Sequence, residues 1–240
     1  MPQRHRLSGK SYGVNVTSML TVHHLNNSRS QRVLWLLEEL GVPYEIKPYQ
    51  RDAATMLAPP ELRAVHPLGK SPVVTEDDVT LAETGAIVEW VIERYGLGRL
   101  APTPGSAERL RWTYWLHYSE GSAMPPLLLK LVFGRLPNSS PALLRPIVNA
   151  IAGRAQSSFI DPNLKAHFDY WEAELGKSEW FAGSEFTAAD VMMSFPVEAA
   201  ADRAGALNGR PGLAAFLQKI HARPAYRRAL ERGGPYAYAD

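Results

Sequence analysis

Hydrophobic and polar positions near the start of the chain follow the spacing of short strands and a helix. Apolar and polar residues alternate over Leu20–Leu25 and an Asn-Asn-Ser turn follows, which predicts a first strand. From residue 31 to residue 40 apolar side chains recur at helical spacing, and Gly41 is a residue type that commonly ends a helix. Residues 43–48, with a proline at each end, then predict a second strand at the edge of a sheet.

The pattern continues with a helix, two strands and a further helix. Residues 53–65 form a weaker helical stretch that two adjacent prolines interrupt. The valines at 73 and 74 follow a proline and predict a short buried strand, and Val79–Ala82 predicts another. The segment from Ile87 to Ile92 returns to helical spacing. This order of elements is that of a thioredoxin-like α/β domain.

Beyond residue 96 the strand pattern does not recur, so an all-helical second domain is expected. Residues 96–105 are dense in Gly and Pro and predict a linker. We therefore expect an α/β domain over residues 19–98 and a helical domain over residues 106–240. The polar segment 1–18 is assigned no role in the fold and is expected to be a disordered extension.

Within the helical part, prolines and caps predict where helices begin and break. Ser106 or its neighbour is expected to cap a long helix that Pro125 and Pro126 should kink or interrupt. Helical segments follow over residues 141–159 and 162–175, with Asp161-Pro162 expected as a cap and first turn between them. Thr187 and Asp190 have the spacing of a capping box, and two short helices, 211–222 and 224–232, are expected to end the chain.

Composition excludes several classes of site. The 240 residues carry a net charge of +2 and no basic run longer than a pair, which gives no argument for a nucleic-acid partner. The absence of cysteine excludes disulfides, thiolate metal sites and a cysteine nucleophile. His23 and His24 lie on opposite faces of the predicted strand, so they cannot chelate one metal together. We expect no metal, no membrane span and no secretory signal, and the cytoplasm is the default compartment.

Two short motifs offer anchor points for a small, charged, peptide-like ligand. Pro67–Val74 presents backbone groups just before a strand, and Glu83-Thr84 stands at a helix start, where free N–H groups receive a carboxylate. Together with Asn26–Leu40 and with Trp180–Val191, these motifs resemble the glutathione transferases, specifically a bacterial-type class. The resemblance extends over nearly the whole chain from Met19 onward.

The resemblance implies a binding site for glutathione as co-substrate. Ser71 would pair its backbone with the cysteinyl residue, and the family holds the following proline, here Pro72, in the cis form. Glu83 and Thr84 would grip the γ-glutamyl end, although Thr84 as a simple helix N-cap beside a solvated Glu83 explains the same residues. Two further candidates are Lys70, as partner of the glycyl carboxylate or as a solvated lysine, and His66, as a polar residue lining the pocket.

In this family the group that stabilises the thiolate lies in the loop after the first strand. The alignment places that position at Asn27 or Ser28, and Ser28 is the first candidate, with Asn27 and Ser30 behind it. Either serine has an equally good reading as a plain helix cap. The loop contains no tyrosine, which argues against the tyrosine-using classes.

The leading hypothesis is a transferase that directs the glutathione thiol at a soft, hydrophobic electrophile. The alternatives are a glutathione-dependent peroxidase or disulfide reductase, and a non-catalytic glutathione-binding protein of the same fold. The electrophile pocket is expected between the domains, near Trp112, Trp115, Leu116 and Ser119, although an aromatic stripe of this kind is more often core or dimer interface. A homodimer is expected from the resemblance.

Overall fold

The computed structural model describes residues 19–52, 55 and 57–239. Segment 1–18, the predicted extension, lies outside the described residues. The first half of the chain is built on a four-stranded sheet with the strand order β2-β1-β3-β4. Its strands are β1 (Leu20–Leu25), β2 (Tyr44–Tyr49), β3 (Val73–Glu76) and β4 (Val79–Ala82). Strand β1 is central, parallel to β2 and antiparallel to β3, so the predicted edge position of the second strand is confirmed.

Three helices accompany this sheet: α1 (Ser30–Leu40), α2 (Pro60–Val65) and α3 (Thr84–Tyr95). Helix α1 ends at Gly41, whose φ of 66° is a left-handed conformation that glycine adopts without steric cost. The helix expected over 53–65 is absent at residues 57–59, and α2 begins only at Pro60; residues 53, 54 and 56 lie outside the described residues. A proline is tolerated in the first turn, where its missing N–H would have had no helical partner.

The second half contains helices and, among its described residues, no strand. The α-helices are α4 (Ala107–Tyr118), α5 (Met124–Arg135), α6 (Arg145–Ala155), α7 (Asp161–Leu175), α8 (Ala188–Ala204), α9 (Pro211–His221) and α10 (Pro224–Gly233). The predicted break before Pro125 takes the form of a π-helical turn, Ser119–Ala123, that joins α4 to α5. A 3₁₀ turn (Ala142–Leu144) precedes α6, and a second π-helical turn (Gln156–Ile160) joins α6 to α7.

Two of the three predicted caps are confirmed. Ser106 caps α4, and its hydroxyl accepts a backbone N–H of the first turn at 3.1 Å. Thr187 and Asp190 form the predicted capping box at the start of α8. Asp161, in contrast, caps nothing. The chain is already helical at Ile160, and the Asp161 carboxylate pairs with the Lys130 ammonium instead, at 2.7 Å.

One continuous core joins the two halves. Helix α1 packs against α10 and α8, so it is covered on one side by the sheet and on the other by the helical half. Trp35, Trp112, Trp115 and Trp171 are all buried in this core. Within the described part of the chain, none of the helices combines the length and the apolarity that a membrane crossing requires.

Candidate functional site

A cavity of about 260 Å³ opens where the sheet half meets the helical half. Six of the sequence-predicted residues line it together: His66, Lys70, Ser71, Pro72, Glu83 and Thr84. Its wall is completed by Arg29, Leu68, Ala82 and Glu120, of which Glu120 comes from the π-helical turn of the helical half. The two anchor motifs, separated by the hairpin β3–β4, thus face one space.

The segment before β3 turns a side chain, rather than its backbone, toward β1. The Ser71 hydroxyl donates to the His23 carbonyl at 2.9 Å and accepts from the Leu25 N–H at 3.3 Å. Among the described residues no backbone hydrogen bond involves the N–H or the carbonyl of Ser71, and both remain available for an added strand. The Ser71–Pro72 peptide bond is cis.

The start of α3 differs from a plain N-cap. Glu83 is the N-cap residue, with a positive φ of 70°, and its side chain makes no capping bond. Thr84 is already in the first turn and buried, and its hydroxyl accepts from the Arg32 guanidinium at 3.4 Å. The alternative in which Thr84 merely caps the helix is therefore wrong. Glu83 itself is exposed at the cavity wall.

His66 and Lys70 lie on the other side of the opening. His66 ends α2, and its Nδ1 atom is buried with no hydrogen-bond partner among the described residues. Lys70 is exposed. A buried polar atom without a partner carries an energetic cost of about 1–3 kcal/mol, so an acceptor or donor supplied by a ligand at this wall is favoured.

The three thiolate candidates take different positions in the loop after β1. Ser28 is buried, and its hydroxyl lies 3.4 Å from the Ser71 hydroxyl at the edge of the cavity. Ser28 Oγ also accepts from the Ser30 N–H at 3.2 Å, so this serine serves the helix start as well. Ser30 is fully buried behind it, while Asn27 is exposed and accepts from the Ala237 N–H at 2.8 Å. Among the hydrogen bonds of the described residues, Ser28 is the one of the three whose side chain bonds to a side chain of the cavity wall.

Two charged residues of the wall were missed at the sequence level. Arg29 forms an ion pair with Glu120, Nε to Oε2, at 3.0 Å, and the buried Arg32 guanidinium contacts the other oxygen of Glu120. Burial alone would raise the pKa of Glu120, but Arg32 and Arg29 hold it below the usual value. Arg29 could have been found from the sequence, because it stands next to Ser28 in the predicted loop. Glu120 could not, because nothing in the local pattern relates it to that loop.

The aromatic stretch of α4 is part of the core. Trp112, Trp115, Leu116 and Ser119 are all buried, with exposed fractions of 3% or less. The interpretation of this stripe as packing is confirmed. The electrophile pocket stays a prediction, and of these four residues Trp112 also lines a cavity between α3 and α4. Within the described residues, no group of three or more His, Asp or Glu side chains is placed to hold a metal ion.

Chemically, the cavity combines unpaired backbone groups, two cations, carboxylates and a nearby hydroxyl. Backbone groups beside Ser71 can pair with an extended peptide, and Glu83 offers a carboxylate for an amino group. Arg29 and Lys70 offer positive charge for carboxylates. The Ser28 hydroxyl is the donor nearest to where the middle of such a peptide would lie. This set fits a short peptide that carries both charges.

The chain is similar to known proteins over most of its length. The glutathione S-transferase N-terminal domain matches residues 18–93, and the glutathione S-transferase C-terminal domain matches residues 147–231. Glutathione S-transferase 3 of Schizosaccharomyces pombe is 38% identical over 216 residues, which cover 89% of this chain and 88% of that protein. Glutathione S-transferase 1 of Saccharomyces cerevisiae is 31% identical over 223 residues, with 89% and 95% covered.

The fold has close counterparts among solved structures. A glutathione S-transferase from Actinobacillus pleuropneumoniae superposes with a TM-score of 0.74 at 31% sequence identity, covering 92% of this chain and 96% of that one. The thioredoxin-like first half and the all-helical second half are therefore arranged as in a glutathione S-transferase. By sequence and by fold, the chain belongs to the glutathione S-transferase family.

Proposed function

We propose that this protein, as a glutathione transferase, binds glutathione in the cavity between its two halves and activates the thiol there for attack on a soft, hydrophobic electrophile. Family membership supplies the transferase activity and glutathione as co-substrate. The observation that carries the choice of site is the position of the Ser28 hydroxyl, 3.4 Å from Ser71 on the wall that holds the other candidates.

Each residue of the wall has a proposed part in holding the tripeptide. The free backbone groups of Ser71, next to Pro72, pair with the cysteinyl residue, and Glu83 with Thr84 binds the γ-glutamyl end. Lys70 binds the glycyl carboxylate. His66 offers its ring nitrogen Nδ1, which has no partner among the described residues, for a hydrogen bond with the tripeptide. Arg29 adds positive charge beside the thiol. Ser28 donates to the thiolate, with Asn27 and Ser30 as the other candidates for that task.

The chain is further proposed to belong to a class that uses neither cysteine nor tyrosine for this task. It has no cysteine, and the loop from Asn26 to Ser30 has no tyrosine. The class is proposed as bacterial-type from the sequence resemblance. We also propose that residues 19–98 and 106–240 are its two domains, that it acts in the cytoplasm, and that it works as a homodimer.

A panel of three assays tests the reaction. Conjugation of a chloronitrobenzene reports the transferase, reduction of an organic hydroperoxide or a disulfide reports the alternative enzymes, and retention on immobilised glutathione reports binding alone. We expect conjugation that saturates with glutathione. Retention without turnover in any assay would leave a non-catalytic binding protein as the correct function.

A further inference from the structure

Behind Ser28 a row of hydrogen-bonded side chains leads away from the cavity into the protein. The Ser28 and Ser30 hydroxyl oxygens are 2.7 Å apart, and Ser30 Oγ lies 2.9 Å from His24 Nδ1. All three residues are at most 5% exposed. The row begins beside Ser71 at the cavity wall and ends on the imidazole, so it connects the ligand space with a buried base.

The direction of these hydrogen bonds follows from the tautomer of the imidazole. The backbone of Gly233, at the end of α10, favours the protonated ring. In the neutral tautomer with its hydrogen on Nε2, Nδ1 is free to accept from the Ser30 hydroxyl, and Ser30 Oγ can then accept from Ser28. The Ser28 hydrogen has two acceptors within reach, Ser71 Oγ at 3.4 Å and Ser30 Oγ at 2.7 Å, and the relay uses the nearer one.

We propose that His24 accepts the thiol proton of bound glutathione through Ser28 and Ser30. The proposal rests on the function proposed above. The S–H bond breaks and its proton passes to Ser28 Oγ, the Ser28 hydrogen passes to Ser30 Oγ, and the Ser30 hydrogen passes to His24 Nδ1. The products are a thiolate and an imidazolium, with no change in the atoms or total charge of the row.

The transfer also reverses every hydrogen bond in the row. Afterwards His24 donates to Ser30, Ser30 donates to Ser28, and Ser28 donates to the thiolate. A single shift of protons thus converts a row that accepts from a thiol into one that stabilises a thiolate, without rotation of any side chain. A hydrogen bond to a charged acceptor is about twice as strong as one to a neutral acceptor, so the reversed row is held in place by the thiolate.

The surroundings of His24 suit a base that is neutral at rest. Burial lowers the pKa of His24, and the Gly233 bond acts in the opposite direction. Several charged side chains on the two helices packed beside it have partners of their own. On α1, Arg32 pairs with Glu120; between α1 and α10, Glu38 pairs with Arg228 and Arg232. The new charge would be balanced by the thiolate at the other end of the row.

Counting protons tests the relay directly. Glutathione is mixed with the intact protein near neutral pH in weak buffer. The ultraviolet absorbance of the thiolate gives the thiolates formed, and a pH indicator gives the protons released to solvent. We expect fewer protons released than thiolates formed, because His24 retains them. One released proton for every thiolate would overturn the relay.

Two variants and a matched control locate the retained proton. His24→Asn places an amide oxygen near the Nδ1 position, so it still accepts from Ser30 but cannot take a proton; the ratio should rise to one proton per thiolate. Ser30→Ala interrupts the row of hydrogen bonds, so it should also release one proton for every thiolate formed. His23→Asn is the control: His23 is equally buried but bonds to Tyr49 and Thr75, and its ratio should stay at the parental value. An unchanged ratio in both His24→Asn and Ser30→Ala would refute the assignment.

The outcomes separate this inference from the function on which it rests. If glutathione binds to the parental protein without forming thiolate, both the proposed thiol activation and the relay fail. If thiolate forms with full proton release, thiol activation stands and only the relay fails. The parental measurement alone decides this, even where a variant does not fold.

Discussion

Ser28 is the residue on which the proposed thiol chemistry depends most directly. Ser28→Ala should raise the kinetic pKa of the conjugation reaction by roughly one to two units, because a hydrogen bond to a charged acceptor contributes about 1.5–3 kcal/mol and each pKa unit corresponds to about 1.4 kcal/mol. The rate should fall at neutral pH and recover in alkaline buffer. The measurement is the pH dependence of kcat/KM.

Asn27→Ala is the matched control for this loop. The Asn27 side chain is exposed and bonds to Ala237, so its loss should leave the kinetic pKa unchanged. A shifted profile in Asn27→Ala, together with a parental profile in Ser28→Ala, would transfer the role to the amide. Parental profiles in both variants and in Ser30→Ala would assign the task to backbone N–H groups.

Glu83 tests the other end of the cavity. Glu83→Ala should weaken glutathione binding roughly ten- to hundredfold, because the lost hydrogen bonds to a charged amino group amount to about 1.5–3 kcal/mol and about 1.4 kcal/mol corresponds to a factor of ten. Glu83→Gln keeps the size of the side chain and loses its charge, so its affinity for glutathione should lie between those of the parental protein and Glu83→Ala. Calorimetric titration with glutathione provides the affinities; an unchanged value for Glu83→Ala would place the amino group elsewhere.

For individual residues, positions in motifs with fixed local spacing could be predicted from the sequence, and contacts between distant parts of the chain could not. Ser71, Pro72, Glu83 and Thr84 line one cavity, as expected for residues drawn from two short motifs. The Arg29–Glu120 pair joins residues about ninety positions apart, and no periodic pattern encodes such a contact. The hydrogen bonds behind the Ser28 hydroxyl could not be predicted either, because they depend on how His24 and Ser30 pack behind it.

Helix α8 is stabilised by the capping box at its N-terminus. Asp190 is fully buried, and its carboxylate accepts from the N–H groups of Thr187 and Phe181, each at 2.9 Å. Asp190→Ala should leave both donors buried and unsatisfied, at a cost of roughly 1–3 kcal/mol each. The urea midpoint of unfolding should fall accordingly.

Asp161→Ala provides the matched control for Asp190→Ala. Asp161 also stands at the start of a helix, but it caps nothing and forms only a surface pair with Lys130. Its removal should change the free energy of unfolding by less than about 1 kcal/mol. Equal losses in the two variants would mean that the capping box contributes no more than a surface charge.

Element boundaries were predictable where a single residue type enforces them. Gly41 ends α1, and Thr187 with Asp190 begins α8. Proline was ambiguous: it was expected to interrupt a helix at 59–60, yet Pro60 begins α2. The difference is physical, since a proline lacks an N–H that an interior position needs and a first-turn position does not.

At the scale of the molecule, the cavity exists because two halves share one core. Arg32 extends from α1, donates to the Met192 carbonyl of α8 at 2.7 Å, and contacts Glu120. The division into a sheet half and a helical half followed from the change in periodicity alone. The way the halves meet did not, because it is decided by side chains such as Arg32 whose partners lie far away in the sequence.

The same helical half leaves a series of large apolar side chains on its surface. The series runs along α4, α5 and α6: Leu110, Tyr114, Leu128, Val132, Ile147 and Ile151. Helices α5 and α6 pack against each other, and large apolar side chains left exposed on neighbouring elements are typical of an interface. Stable interfaces bury about 1,200–2,000 Å² in total. This surface supports the proposed homodimer.

Light scattering at micromolar concentration should therefore give twice the 26.6 kDa of a single chain. The double variant Leu110→Glu/Ile147→Glu should shift the mass toward one chain, because a charge buried at an apolar interface is costly. Leu57→Glu is the control, because Leu57 is also exposed but precedes α2 in the sheet half. The Leu57→Glu variant should scatter with the mass of the parental protein. A parental protein that scatters as a single chain would rule out the dimer. A parental dimer that survives Leu110→Glu/Ile147→Glu would place its interface on another face.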